Sequence, residues 1–216
     1  MSVLVMAVWD TEENDRSKYT ESTLYSLLET VNFNKHRLFI SDNGSCQETQ
    51  DMYDVFQHHF VWHSNFPKEN LTIKYNGENL GTALAVSHGW RTFTEEDFSL
   101  IKIDNDMIVH QSGWVDEMER AIKLNPNIGI VGLKRMDLEQ YPEHPAPFFR
   151  TELIMLPHEK GSDFVIIERS ADIMGSIVCI NKLLFDKIGY YEQPGRYGFE
   201  DSSYSFKSLQ AGFINC

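Results

Sequence analysis

The chain has 216 residues, of which 42% are hydrophobic and 12% aromatic, and a formal net charge of -13. That size and composition fit one soluble globular domain with a sizeable core. The negative charge disfavours nucleic acid and anionic membrane surfaces as partners, and no apolar run approaches the roughly 20 residues of a bilayer span. The opening MSVLVMAVWD lacks a basic leader and a small-residue cleavage site, so no signal peptide is expected. Three cysteines, Cys46, Cys179 and Cys216, are odd in number and far apart, which argues against a disulfide framework and makes a cytoplasmic setting the default.

Val3 to Val8 is a short continuous apolar run and reads as a buried strand. After the polar TEENDRSKY, residues Thr23, Leu24, Leu27, Leu28 and Val31 recur at helical spacing. Arg37 to Ser41 is a second strand ending in the turn chemistry DNGS, and Gln47 to Phe60 reads as a helix. Leu71 to Tyr75 is a third strand, NGENLG a loop, and Thr82 to Phe93 a helix. Phe98 to Ile103 is a fourth strand, delivering Asp104 and Asp106 at its tip. Strands alternating with helices predict a parallel sheet, whose ligands collect at the strands' carboxyl ends. The loops WDTEEN, DNGS and DNDM fall on that one edge.

The second half differs in texture. Ile128 to Leu133 reads as a strand, and QYPEHPAPFF as an irregular loop. Phe164 to Glu168 and Ile177 to Ile180 are expected in a small mixed sheet, followed by a helix from Asn181 to Ile188. GYYEQPGRYG reads as a Gly/Pro loop and Glu200 to Gln210 as the last helix, while AGFINC resembles a strand cut short.

Residues i and i+2 of an extended segment share a side, so Asp104 and Asp106 can reach one hard cation such as magnesium or manganese. An acidic chain that binds an anionic ligand needs such a local counter-charge. The spacing alone does not separate a metal site from a surface turn. DNGS taken alone is a tight turn, NGENLG a helix entry, and Glu200 and Asp201 first-turn acids favoured by a helix dipole. His59 and His63 have the spacing of a zinc pair, but lack a glutamate between them. Of Tyr190, Tyr191, Tyr197, Phe199, Tyr204 and Phe206, about half are expected in the core and the rest as a sugar-stacking face. Trp90 and Trp114 are expected in the core.

Taken in order, FISDNGS, ENLGTALAVSHGW, LIKIDNDMIV, GSIVCINKLLFDKIGYYE and YGFEDSSYSFKSLQAGF resemble the family-2 glycosyltransferases of the GT-A fold. The resemblance implies a single Rossmann-like α/β catalytic domain over 1–216, with a nucleotide-sugar-binding half at 1–109 and an acceptor-binding half at 110–216. It implies transfer, with inversion, from a nucleoside-diphosphate sugar to an acceptor hydroxyl. Asp42 would accept a hydrogen bond from the donor base, typically uracil, and Ala7 and Trp9 would line the same pocket beside Asp10. Asn79 and Gly81 would lie along the donor. Asp104 would sit near the ribose, with Asn105 next to it, and Asp104 and Asp106 would form the metal site. Glu200 would touch the acceptor, and Asp201 would take the proton from its hydroxyl. The chemistry is consistent: a leaving diphosphate gains charge that a divalent ion absorbs, and a sugar hydroxyl needs a general base.

Two features depart from that pattern. The first strand runs into AVWDTEENDRS rather than a turn with Pro and Asn, and no histidine follows Asp201 as a third metal ligand. A truncated catalytic region is one expectation, and coordination completed by diphosphate and water is the other. Two other enzyme classes fit less well. A haloacid-dehalogenase-type phosphatase carries its paired aspartates on the first strand, and a sugar-nucleotidyltransferase needs a Gly/basic loop where WDTEEN stands. A nucleotide-sugar-binding module without turnover would not need the Glu200–Asp201 pair. The acceptor, a glycan, a protein or a lipid-linked sugar, is not readable from the residues; a nucleic acid is not expected.

Overall fold

β1 (Ser2–Val8) is apolar at almost every position because both of its faces are covered. Leu4, Met6 and Val8 enter one core cluster, and Val3 and Val5 enter the other. In the computed structural model, residues 1–94, 97–133, 150–157, 164–193 and 195–216 are described, with the backbone alone at 150–152 and 157. The proline-rich stretch 140–149 lies outside the described residues.

From β1 the chain passes through α1 (Ser17–Thr30), β2 (Arg37–Asp42), α2 (Gln47–His58), β3 (Leu71–Tyr75), α3 (Thr82–Trp90) and β4 (Ser99–Ile103). β1 pairs parallel with β2 and β4, and β2 pairs parallel with β3. The helices pack on both faces: α1 and α2 residues join the first cluster, and α3 residues the second. Then come α4 (Trp114–Leu124), β5 (Ile128–Gly132), β6 (Arg150–Pro157), β7 (Phe164–Ser170), β8 (Ile177–Asn181), α5 (Lys182–Ile188), α6 (Glu200–Gln210) and β9 (Ile214–Asn215).

The expected mostly parallel sheet with a separate small mixed sheet is corrected by the topology. Among the described residues there is one nine-stranded mixed sheet, ordered β3-β2-β1-β4-β8-β5-β9-β7-β6. β8 runs antiparallel between β4 and β5, with Ile103 opposite Ile177, so the parallel run stops at β4. All five residues of β8 are buried. Buried on both faces, an antiparallel strand is as apolar as a parallel one, and hydrophobic pattern alone does not report strand direction.

Local chemistry explains the remaining boundaries. α2 ends at His58, where a π-helical turn, His59–His63, continues it. There the His59 and His63 rings stack at 4.6 Å. Among the described residues no group of three or more His, Cys, Asp or Glu is arranged to hold a metal. α4 carries Trp114, Val115, Met118, Ala121 and Ile122 on its buried face, a helical spacing that the sequence reading passed over. No helix of the described residues is long and apolar enough to cross a membrane.

Candidate active site

The strand order places β2 and β3 on one side of β1 and β4 on the other. β1 and β4 run parallel side by side, so the loops leaving both emerge at the same carboxyl edge, the usual place of the ligand crevice in such sheets. Asp104 and Asp106 stand there. The Asp104 amide donates to the Ser176 carbonyl at 2.8 Å, which ties the first aspartate to the strand entering β8.

The segment after Asp104 is held along α1 by a row of hydroxyls. Thr20 Oγ1 accepts from Asn105 Nδ2 at 2.7 Å, Thr23 Oγ1 from the Met107 amide at 3.0 Å, and Ser26 Oγ from the Val109 amide at 3.3 Å. The Thr30 carbonyl accepts from the Gly113 amide at 3.1 Å. Every second residue of the segment from Asn105 to Val109 thus meets every third residue of the helix. Thr23, which shares the helical spacing of Leu24, Leu27 and Leu28, is one rung of this polar row.

Asp10 and Asn105, both expected to touch the donor, are turned inward. Asp10 is fully buried; its Oδ1 accepts from Asn105 Nδ2 at 2.9 Å and its Oδ2 from Thr20 and Thr49 at 2.6 and 3.2 Å. Burial raises the Asp10 pKa, while the Thr20 and Thr49 hydroxyls, Arg16 and Asn105 pull it back down. The pair fixes the loop from within. Asp106 faces outward and pairs with Arg16 Nη2 at 2.8 Å.

Asp42 is likewise fully buried, at the end of β2. Its Oδ1 accepts from the Gly44 and Ser45 amides, both at 3.0 Å, and its Oδ2 from the Tyr53 hydroxyl at 2.9 Å. Its evident work is to hold the DNGS turn. Beside it, Ala7 pairs with Ser41 across the β1–β2 ladder, and Trp9 is 47% exposed at the crevice edge. Asn79 Oδ1 accepts from the Gly81 amide at 2.9 Å, shaping the entry to α3. Gly81 has φ +80, and an added Cβ would lie 2.7 Å from the Arg196 carbonyl oxygen, so only glycine fits beneath that loop.

The residue that joins the two halves is one the sequence reading did not single out. Lys102 lies in β4 between Ile101 and Ile103, which face the first cluster, so alternation turns it to the opposite face. It is 2% exposed. Its Nζ donates to the Gly175 carbonyl at 2.7 Å and lies 3.0 Å from Asp104 Oδ1, 3.3 Å from Asp201 Oδ1 and 3.8 Å from Glu200 Oε1. The signal was available: a lysine inside a continuous apolar strand must find carboxylates or leave the core.

One ammonium shared by three carboxylates sets the electrostatics. Burial acts to lower the Lys102 pKa, but Asp104, Asp201 and Glu200 together hold it above its ordinary value. Burial raises Asp104 to about 6 against the pull of Lys102, with Asp201 and Asp106 adding to the rise. Its side chain is still 37% exposed, so water moderates that cost. Burial also raises Asp201, with Lys102 opposing and Glu200 reinforcing.

Glu200 and Asp201 open α6, and the helix start projects them differently. Glu200 is 6% exposed and its Oε2 accepts from Gln193 Nε2 at 3.0 Å. Asp201 lines an open cavity together with Asp104. Gln193 also accepts from the Ala83 amide at 3.2 Å, linking the first turn of α3 to the loop before α6. Of the six candidate aromatics, Tyr191 and Tyr204 are core residues packed around Trp90, whereas Tyr197, Phe199 and Phe206 are well exposed.

Gly175 has no room for a side chain: an added Cβ would lie 2.0 Å from the Asp201 carboxyl. Gly175→Ala is therefore expected to cost roughly 1–3 kcal/mol of stability as the carboxyl is displaced, read from urea unfolding. An unchanged midpoint would show that Asp201 moves aside freely.

Neither a family model nor a curated protein matches this sequence. Solved structures do match it, and the chain shares the fold of these glycosyltransferases. One is the mannosyltransferase PcManGT from Pyrobaculum calidifontis, in complex with GDP-Man and Mn2+. The TM-score is 0.70 at 15% identity, covering 99% of this chain and 53% of that one. Another is S. aureus TarS 1-349, with a TM-score of 0.64 at 12% identity, covering 96% of this chain and 54% of that one. The chain thus spans about half the length of these structures.

Proposed function

We propose that the chain moves a sugar from a nucleoside-diphosphate sugar to an acceptor hydroxyl, with inversion, using a divalent ion and Asp201 as base. The observation that carries this reading is the cluster around Lys102. It joins Asp104, of the paired-aspartate loop, to Asp201, of the α6 start, on either side of one crevice. The fold likeness supports it, as does the presence of GDP-Man and Mn2+ in PcManGT.

The residues fit a hard cation. Asp104 and Asp106 offer carboxylate oxygens two residues apart, and Asp106 already attracts the nearest positive charge, that of Arg16. Asp104 and Asp106 would hold the ion, and the donor diphosphate and water would supply its remaining oxygens. A bound ion supplies Lewis-acid neutralisation of the leaving diphosphate. The protein's own residues do the rest. Asp201 accepts the acceptor proton, Lys102 keeps that carboxylate turned into the crevice, and Arg16, freed from Asp106, meets phosphate oxygens as a planar fork. The half at 1–109 holds the donor and the half at 110–216 the acceptor, joined where β8 lies against β4. Ala7, Trp9 and the turn that Asp42 shapes form the base pocket, with Asn79 and Gly81 beneath the sugar-diphosphate. Uridine is the base the sequence resemblance favours.

Calorimetry with UDP, GDP and CDP, each with manganese, tests the donor. UDP is expected to bind tightest; tighter GDP would overturn the base, and no binding of any would overturn the reading. Asp106→Asn is expected to weaken nucleotide binding in manganese by at least about tenfold. If the mutation and chelation both leave affinity unchanged, the reaction uses no metal.

A further inference from the structure

Beside Asp201 opens a cavity of about 270 Å³ that reaches from Asp104 towards Asp172 and Tyr197. It lies at the lower edge of the roughly 300–1,000 Å³ of drug-sized ligand pockets, room for one ring rather than a chain of them. Asp201 and Asp104 line it on the crevice side, Met174 and Asp172 form a wall, and Tyr197 stands at the rim.

Three features of that cavity have no use within the fold. Tyr197 is 91% exposed and Met174 56%, an apolar pair facing water. Asp172 Oδ2 accepts from the Ser202 hydroxyl at 2.9 Å, but its Oδ1 is buried with no donor among the described residues. A buried carboxylate oxygen without a donor is costly unless a ligand supplies one. The loop that presents Tyr197 is also strained: Phe199 has φ +69, a left-handed conformation that a bulky side chain adopts only when its surroundings enforce it. Gln193 enforces it, donating to the Gly198 carbonyl at 3.3 Å and to Glu200.

We infer that this cavity is the acceptor subsite and that it takes one neutral pyranose ring. The ring's apolar face lies on Tyr197, one hydroxyl points at Asp201, and a second donates to Asp172 Oδ1. Without a bound divalent ion, acidic sugars such as uronates and sugar phosphates are excluded. Three carboxylates line the cavity, and Lys102, the one ammonium nearby among the described residues, is already shared among carboxylates. The inference rests on the glycosyl-transfer reading, from which its failure can be told apart.

Saturation-transfer NMR of the chain with methyl glycosides of glucose, galactose, mannose and N-acetylglucosamine, and with methyl glucuronide, is the test. At least one neutral glycoside is expected to bind, and the glucuronide is not. Tyr197→Ala should weaken that binding about three- to tenfold, with Tyr197→Phe restoring most of it. Asp172→Ala should weaken it as well. Binding that ignores both substitutions, or a glucuronide that binds equally well, overturns the subsite. Nucleotide binding without any glycoside binding also overturns the subsite while leaving the donor reading intact; binding of neither overturns both.

Discussion

Asp201→Asn is expected to lower the rate of sugar transfer by roughly 10²- to 10⁴-fold, the usual worth of a positioned general base, with donor affinity near normal. Asp201 lines the cavity, and the amide keeps its size while removing the basic oxygen. In the unsubstituted protein the rate should rise with pH as Asp201 ionises. That rise should sit above the ordinary aspartate value of 3.8, because burial raises the Asp201 pKa. Glu200→Gln is expected to raise the acceptor KM more than it lowers kcat, since Glu200 is buried against Gln193 and Lys102. Steady-state kinetics of both variants decide the assignment. A nearly active Asp201→Asn beside an inactive Glu200→Gln would exchange the two roles.

Lys102→Met should cost about 3 kcal/mol near pH 8, the scale of removing one partner from a buried ionic cluster. The methionine fills much of the volume, so the loss reports charge rather than a cavity. Its pH dependence has a definite sign. Without the ammonium, the folded-state pKa values of Asp104 and Asp201 rise further above their unfolded values. The folded variant then binds more protons than the unfolded chain from about pH 4 to beyond the Asp104 value of about 6 found with the lysine present. Its deficit relative to the unsubstituted protein opens above that value. Stability of the variant therefore falls as pH rises through that window, and its deficit is smallest in acid. Urea denaturation at pH 5 and pH 8 measures it. A deficit equal at both would mean that Lys102 contributes through packing alone.

The α/β alternation of the first half was legible because each element there has its own local pattern. Buried parallel strands read as apolar runs, α1 and α2 carry helical spacing, and DNGS and NGENLG are turn chemistry. Asp104 and Asp106 could be placed at a strand tip for the same reason. α4 is marked by the helical spacing of Trp114, Val115, Met118, Ala121 and Ile122. The direction of β8 was not readable, because burial on both faces erases the alternation that marks an antiparallel strand.

By itself, the sequence determined at which edge of the sheet the loop carboxylates gather, since that follows from residue type and from topology with short connections. Only the tertiary structure decided which of them face the crevice. Asp10, Asn105 and Asp42 are consumed by internal hydrogen bonds, while Asp106, Asp201 and Tyr197 remain open to a ligand. It also decided that Lys102, Gly175 and the Thr20–Thr23–Ser26 row belong to the site. Those residues act on partners 73 to 99 positions away. Hydrogen bonds and charge pairs over such separations depend on how strands and helices are stacked, which no local pattern encodes.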